Sequence, residues 1–199
     1  VYCVASSPDG GTIAAGTAEG ALLLFDAEGF VRSSWPAHLG GLSTQIIAVA
    51  WSPDGRLIAS GGLDFKAKVW DREGALVREF KADVRSRNDI NGLCWSPDGS
   101  GLLTADQGGS GRIWNVATGL AGPVLAHGGG WVRGAAWSPD GKRVALAGQD
   151  RTISVWDAQS GALLHRLSGH RAAVWSLRWS ADGSTLASGS GLYSASRGD

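Results

Sequence analysis

Apolar and polar positions along the chain change in short bursts and never settle into a sustained helical period. Runs rich in Val, Ile, Leu and Ala, such as Ile46–Trp51 and Leu57–Ser60, are bounded by turn residues. Short apolar runs bounded in this way predict strands rather than helices. Between two such runs recurs the tetrapeptide Ser-Pro-Asp-Gly, at Ser7–Gly10, Ser52–Gly55, Ser96–Gly99 and Ser138–Gly141, with a variant at Ser180–Gly183. The intervals between the copies are 45, 44, 42 and 42 residues. Pro in second place and Gly in fourth suit a type I turn, with Ser and Asp positioned to bond nearby amides.

A second mark keeps step with the first. Phe25-Asp26, Trp70-Asp71, Trp114-Asn115 and Trp156-Asp157 each follow their tetrapeptide at one fixed offset. They end a third short run, such as Lys66–Trp70, after which a turn (Asp71–Gly74, Ala158–Gly161) leads to a fourth, such as Ala75–Phe80. Four short strands in every unit of about 43 residues predict an all-β radial array. The 199 residues then divide into units of about 1–38, 39–82, 83–127 and 128–170, with an incomplete fifth over 171–199, all in one domain.

At these positions the chain resembles the WD-repeat (WD-40 type) β-propeller family, and the resemblance covers essentially its whole length. The implied fold is a propeller of four-stranded antiparallel blades, four of them plus part of a fifth. The family's hydrogen-bonded tetrad joins a histidine, a strand hydroxyl, a turn Asp and the Trp. Carried over position by position, the second unit offers His38, Ser60, Asp64 and Trp70. The unit ending at Trp156 has His127 and Asp150, with Leu146 where the hydroxyl belongs. The third has Thr104 and Trp114 but Gly108 in place of Asp, and the fifth has His170 and Ser188. Glu19 and Phe25 replace the Asp and Trp of the first. The residue types make physical sense independently, because buried indole, imidazole and carboxylate groups each need a partner and a closed network supplies all of them. The competing reading of His38 and His127 is as metal ligands or general bases, but the four histidines show no metal-ligand spacing.

Ten tryptophans in the chain now sort by position. Trp70, Trp114 and Trp156 end third strands; Trp51, Trp95, Trp137 and Trp179 precede the turn on inner strands; Trp35 sits on a fourth strand, in register with Phe80, Leu125 and Leu167. These eight read as repeat-encoded core. Trp131 and Trp175 are left over.

Aligning the inner strands gives Val1, Ile46, Ile90, Val132 and Val174 as a core-facing column. By strand alternation the next residue of each points the other way: Tyr2, Ile47, Asn91, Arg133 and Trp175. The residues before the column include Gln45, Asp89 and Trp131, and those before the turn Asp position are Leu63, Gln107 and Gln149. In the resembling family these positions line the face that binds partners. The expected partner-binding face therefore holds Trp131, Arg133, Trp175, Tyr2, Ile47, Gln45, Leu63, Asn91, Gln107 and Gln149. Exposed Trp, Tyr and Arg are frequent interface anchors; the alternative is that Trp131 and Trp175 fill gaps at the blade tops. The loop Ala82–Asp89, with Arg85 and Arg87, reads as a solvated connection rather than a nucleic-acid patch.

Composition narrows the function. Eighteen basic residues balance 18 acidic ones, so neither nucleic acid nor an anionic membrane is attracted at long range. No apolar run is long enough to span a bilayer. Cys3 and Cys94 fall on inner strands of different units and read as small buried hydrophobes with reduced thiols; a cytoplasmic location is expected. No cofactor or metal is expected: the glycine runs Gly108–Gly111 and Gly128–Gly130 lack the Lys-Ser/Thr and helix of a phosphate loop, and no serine lies in a nucleophile elbow. The resemblance implies a non-catalytic scaffold that docks a peptide or protein on one face. The alternative is an accessory or regulatory propeller of a larger enzyme whose catalytic domain lies outside this chain. With Val1 opening mid-strand and the repeat lost after Gly189, an open arc is expected, whose unpaired inter-blade edges associate with missing blades or another chain.

Overall fold

The computed structural model describes residues 1–39, 43–81 and 88–191. Among them every regular element is a strand. The first blade is β1 (Cys3–Ser6), β2 (Thr12–Gly16), β3 (Ala21–Asp26) and β4 (Val31–Pro36). The second is β5 (Ile46–Trp51), β6 (Leu57–Gly62), β7 (Lys66–Asp71) and β8 (Leu76–Lys81). The third is β9 (Ile90–Trp95), β10 (Gly101–Asp106), β11 (Ser110–Asn115) and β12 (Ala121–Ala126). The fourth is β13 (Val132–Trp137), β14 (Arg143–Gly148), β15 (Ile153–Asp157) and β16 (Leu163–Leu167), and two strands of a fifth follow, β17 (Ala173–Trp179) and β18 (Leu186–Gly191). Each blade is an antiparallel meander in chain order. This is a propeller with a partial fifth blade.

The Ser-x-Asp-Gly turns join the first two strands of every blade. Each closes with the glycine N–H donating to the serine carbonyl at 2.9–3.0 Å. The five glycines have φ between 68° and 74°, a region costly for any residue with a Cβ, which is why Gly closes every copy.

The core lies between blades rather than within any one of them, in four apolar clusters, one for each pair of neighbours. Three contacts recur. First, the core-facing column packs on a small residue in the second strand of the preceding blade. A Cβ on Gly16 would meet Ile46, and one on Gly61 would meet Ile90, each at 2.6 Å. Ala105 clusters with Val132, and Ala147 with Val174. Second, the third-strand Trp packs on the outer-strand residue of the preceding blade. Trp70 lies 6.2 Å from Trp35 and Trp114 5.1 Å from Phe80, centroid to centroid, while Trp156 clusters with Leu125. Leu167, next in that series, is 44% exposed; the position that would cover it is Gly198, outside the described residues.

Third, inner-strand tryptophans reach back to the preceding inner strand. Trp51 donates its indole N–H to the Ala5 carbonyl at 3.0 Å, and Trp95 to Ala50 at 3.1 Å. Trp137 departs from this and donates to Gly141 in its own turn at 3.0 Å, and the Trp179 Nε1 is buried without a partner.

One expectation is corrected. Val1 was placed in the core-facing column, but it is 76% exposed whereas Ile46, Ile90, Val132 and Val174 are all buried. Each buried member of the column packs on the preceding blade, and among the described residues no blade packs on Val1. The inner strands surround a cavity of about 620 Å³ lined by Val4, Val49, Leu93, Ala135 and Leu177.

Candidate functional site

Repeated backbone devices bring nine of the ten residues of the expected face to the same end of the blades; Tyr2 instead donates its backbone N–H to the Gly16 carbonyl at 2.9 Å. Pairing between the first two strands skips one residue in four blades. Ile46 pairs with Gly62 and Ala48 with Gly61, leaving out Ile47. Asn91, Arg133 and Trp175 are skipped in the same way. A bulge of this kind bends the strand and re-aims a side chain, so these four positions owe their direction to it and not to plain alternation. A second repeated bond brings up the flanking columns: Leu63 N–H donates to the Gln45 carbonyl, Gln107 to Asp89 and Gln149 to Trp131, at 2.9–3.0 Å.

Exposure differs along the face. Tyr2, Trp131 and Gln149 are exposed, while Gln45, Ile47, Leu63, Gln107, Arg133 and Trp175 are half-buried. Asn91 is nine-tenths buried, with its Nδ2 unpartnered. The loop arginines Arg85 and Arg87, like Leu192–Asp199, lie outside the described residues.

The fourth and fifth blades carry the densest part of the face. The Arg133 guanidinium carbon sits 5.7 Å from the Trp131 ring centroid and 5.0 Å from that of Trp175. Two indoles thus flank one cation, an arrangement strengthened by removal from water. Trp175 is held by donating its N–H to the Gly191 carbonyl at 2.9 Å. Trp131 is 37% exposed, and it stands at the end of three consecutive left-handed glycines, Gly128, Gly129 and Gly130, with φ of 86°, 68° and 100°. A Cβ on Gly129 would come within 2.4 Å of the Asp150 Cβ. These left-handed conformations and the close approach to Asp150 require glycine immediately before Trp131. The Arg133 Nε is buried without a partner, an omission that costs about 1–3 kcal/mol or more for a charged group.

Asp89 precedes the core-facing Ile90 of the third blade. Burial, and then the nearby charge of Asp64, push the Asp89 carboxyl above the usual carboxylate range.

Beneath the face the histidine networks anchor the loops. His38 is fully buried; its Nδ1 meets Asp64 at 2.7 Å, its Nε2 meets the Ser60 hydroxyl at 2.8 Å, and Trp70 donates to the same hydroxyl at 2.9 Å. In the third blade Trp114 donates to Thr104 at 3.0 Å. In the partial blade His170 Nε2 meets Ser188 at 2.7 Å and its Nδ1 meets Ser190 at 2.9 Å.

The fourth blade departs from the expected pattern. Leu146 does stand in the hydroxyl's place, but the hydroxyl is not lost. Ser154 supplies it, at 2.7 Å from His127 Nδ1 and 2.8 Å from Trp156 Nε1, while His127 Nε2 meets Asp150 at 3.1 Å. Burial lowers the His127 pKa, against the opposing hydrogen bond and charge of Asp150, while the charge of Arg166 adds to the lowering. With both ring nitrogens engaged, these histidines have a structural part, and among the described residues no group of three His, Cys, Asp or Glu could hold a metal ion.

Comparison with known families agrees with the geometry. A family model described as WD domain, G-beta repeat matches residues 1–26, 30–71 and 74–115, together more than half of the chain. Its second and third matches begin near an outer strand and end with the third strand of the next blade, so the sequence repeat straddles two blades. A second model, the anaphase-promoting complex subunit 4 WD40 domain, matches residues 124–182. A search of curated proteins finds no match. The blade architecture, the histidine networks and these matches together place the chain in the WD40-repeat family.

Proposed function

We propose that this chain is a non-catalytic docking module whose bulged face receives a peptide or protein, with Trp131, Arg133 and Trp175 at the centre of the contact. WD40 repeats in general act as protein-interaction scaffolds and are typically non-catalytic. The observation that supports this particular face is the exposed Trp131 and half-buried Trp175 on either side of a cation. Aromatic and arginine side chains supply most hot-spot energy in interfaces. The similarity of residues 124–182 to the WD40 domain of a complex subunit supports a place in a larger assembly.

The test is a Trp131→Ala/Trp175→Ala double variant. Its sheet content and melting midpoint should stay close to those of the parent. Its affinity for a purified partner, first identified with the parent chain, should fall at least tenfold. Equal affinity in a folded double variant places the docking site elsewhere.

A further inference from the structure

We infer that the Arg133 guanidinium is a receptor for a carboxylate, so that the segment docked on this face is an acidic peptide. The inference rests on the docking reading above and adds the chemistry of the partner. Arg133 lies on the β13 bulge, which directs it between Trp131 and Trp175 rather than along the ladder. Among the described residues no carboxylate forms an ion pair with it. The acid across the neighbouring bond, Asp150, is already engaged by His127, Thr152 and Arg166. A cation held between apolar rings, half withdrawn from water and lacking a counter-charge, is an unsatisfied electrostatic site.

The form of the site selects the ligand. Indoles cover the apolar approach to a guanidinium, so recognition falls to its in-plane N–H donors, whose fork matches a carboxylate. One guanidinium balances one carboxylate charge, whereas a phosphate dianion calls for more. The chain's net charge of zero offers a polyanion such as nucleic acid no long-range attraction. An Asp or Glu flanked by apolar residues, which would lie on the indoles, is the segment that fits both parts of the site.

An array of 12-residue peptides of varied sequence, including phosphoserine peptides, probed with the purified chain, tests this. Bound peptides should be enriched in Asp or Glu, and Glu→Gln in the best binders should weaken them about tenfold. Arg133→Gln should cause a similar loss and make the Glu→Gln change silent, and raised salt should weaken binding. Peptides that need Trp131 and Trp175 but are indifferent to Glu→Gln overturn the carboxylate assignment while leaving the docking face intact. Binding that survives in the Trp131→Ala/Trp175→Ala variant overturns the docking reading itself. An array without binders, a preference for phosphoserine over glutamate, or tighter binding of a single-stranded oligonucleotide each overturns the acidic-peptide assignment. The Glu→Gln comparison is made on the peptide, so it stands even if an Arg133 variant folds poorly.

Discussion

Leu146 and Ser154 face each other across the β14–β15 ladder, and the hydroxyl of the histidine network has crossed from the first position to the second. In the second blade the equivalent row reads Ser60, Lys68, Glu79; in the fourth it reads Leu146, Ser154, Arg166. The polar pattern has moved outward by one strand. The cation moves with it: Lys68 Nζ donates to the Ala37 carbonyl at 2.7 Å, and Arg166 donates to the His127 carbonyl at 2.8 Å. Leu146, freed from hydrogen bonding, packs toward Gly111 of the third blade.

Ser154→Ala therefore removes the acceptor of Trp156 and a partner of His127 at once. Two buried polar atoms left unpaired should cost about 2–4 kcal/mol. In a chain of this length each kcal/mol lowers the melting midpoint by about 2–4 °C. Calorimetry showing no change would mean that the hydroxyl is dispensable.

Stability should also fall on mild acidification through His127. Burial holds its folded pKa below the ordinary 6.5, so the unfolded chain binds the proton more readily. The contribution is full above about pH 6.5 and is lost as pH falls toward the lowered folded value. The melting midpoint should drop as pH falls below about 6.5, and His127→Gln should flatten that part of the profile. An imidazole titration followed by NMR with its midpoint above 6.5 would reverse the sign and refute the argument.

Gly61→Ala should destabilise the junction of the second and third blades. Its Cβ would lie 2.6 Å from Ile90 Cγ2 and 3.1 Å from the Ile90 carbonyl oxygen. Overpacking of this kind costs about 1–3 kcal/mol. Ile90→Ala alone leaves a cavity, worth about 2–5 kcal/mol. Combined, the two should cost less than their sum, because each relieves the other; strict additivity in denaturant unfolding would show that the residues do not lock the blades together.

The inner-strand tryptophans should separate into two classes. Trp95→Phe leaves the Ala50 carbonyl without its cross-blade donor and should cost more than Trp137→Phe, which loses only a bond within one turn. The expected gap is about 1 kcal/mol. Equal melting midpoints for the two variants would contradict it.

Much of this was legible in the order of residues. The Ser-x-Asp-Gly turns, the third-strand tryptophans and the complete set His38, Ser60, Asp64 and Trp70 are local marks at fixed spacing, and each repeat supplies the same backbone hydrogen bonds to the next. Ser154 was not legible, because cross-strand partners lie far apart in sequence and the repeat alignment compares only equal positions. The bulges at Ile47, Asn91, Arg133 and Trp175 were hidden too, since alternation assumes an unbroken ladder.

Sequence alone determined the fold class and the division into four four-stranded blades with part of a fifth, because turn chemistry and strand period are short-range and repeat. Tertiary structure decided which hydroxyl completes the fourth network, that Val1 lies bare, and that Trp131 and Trp175 enclose Arg133. Those outcomes depend on what one blade presents to the next, and a core divided among blade junctions is specified only when neighbouring blades are assembled.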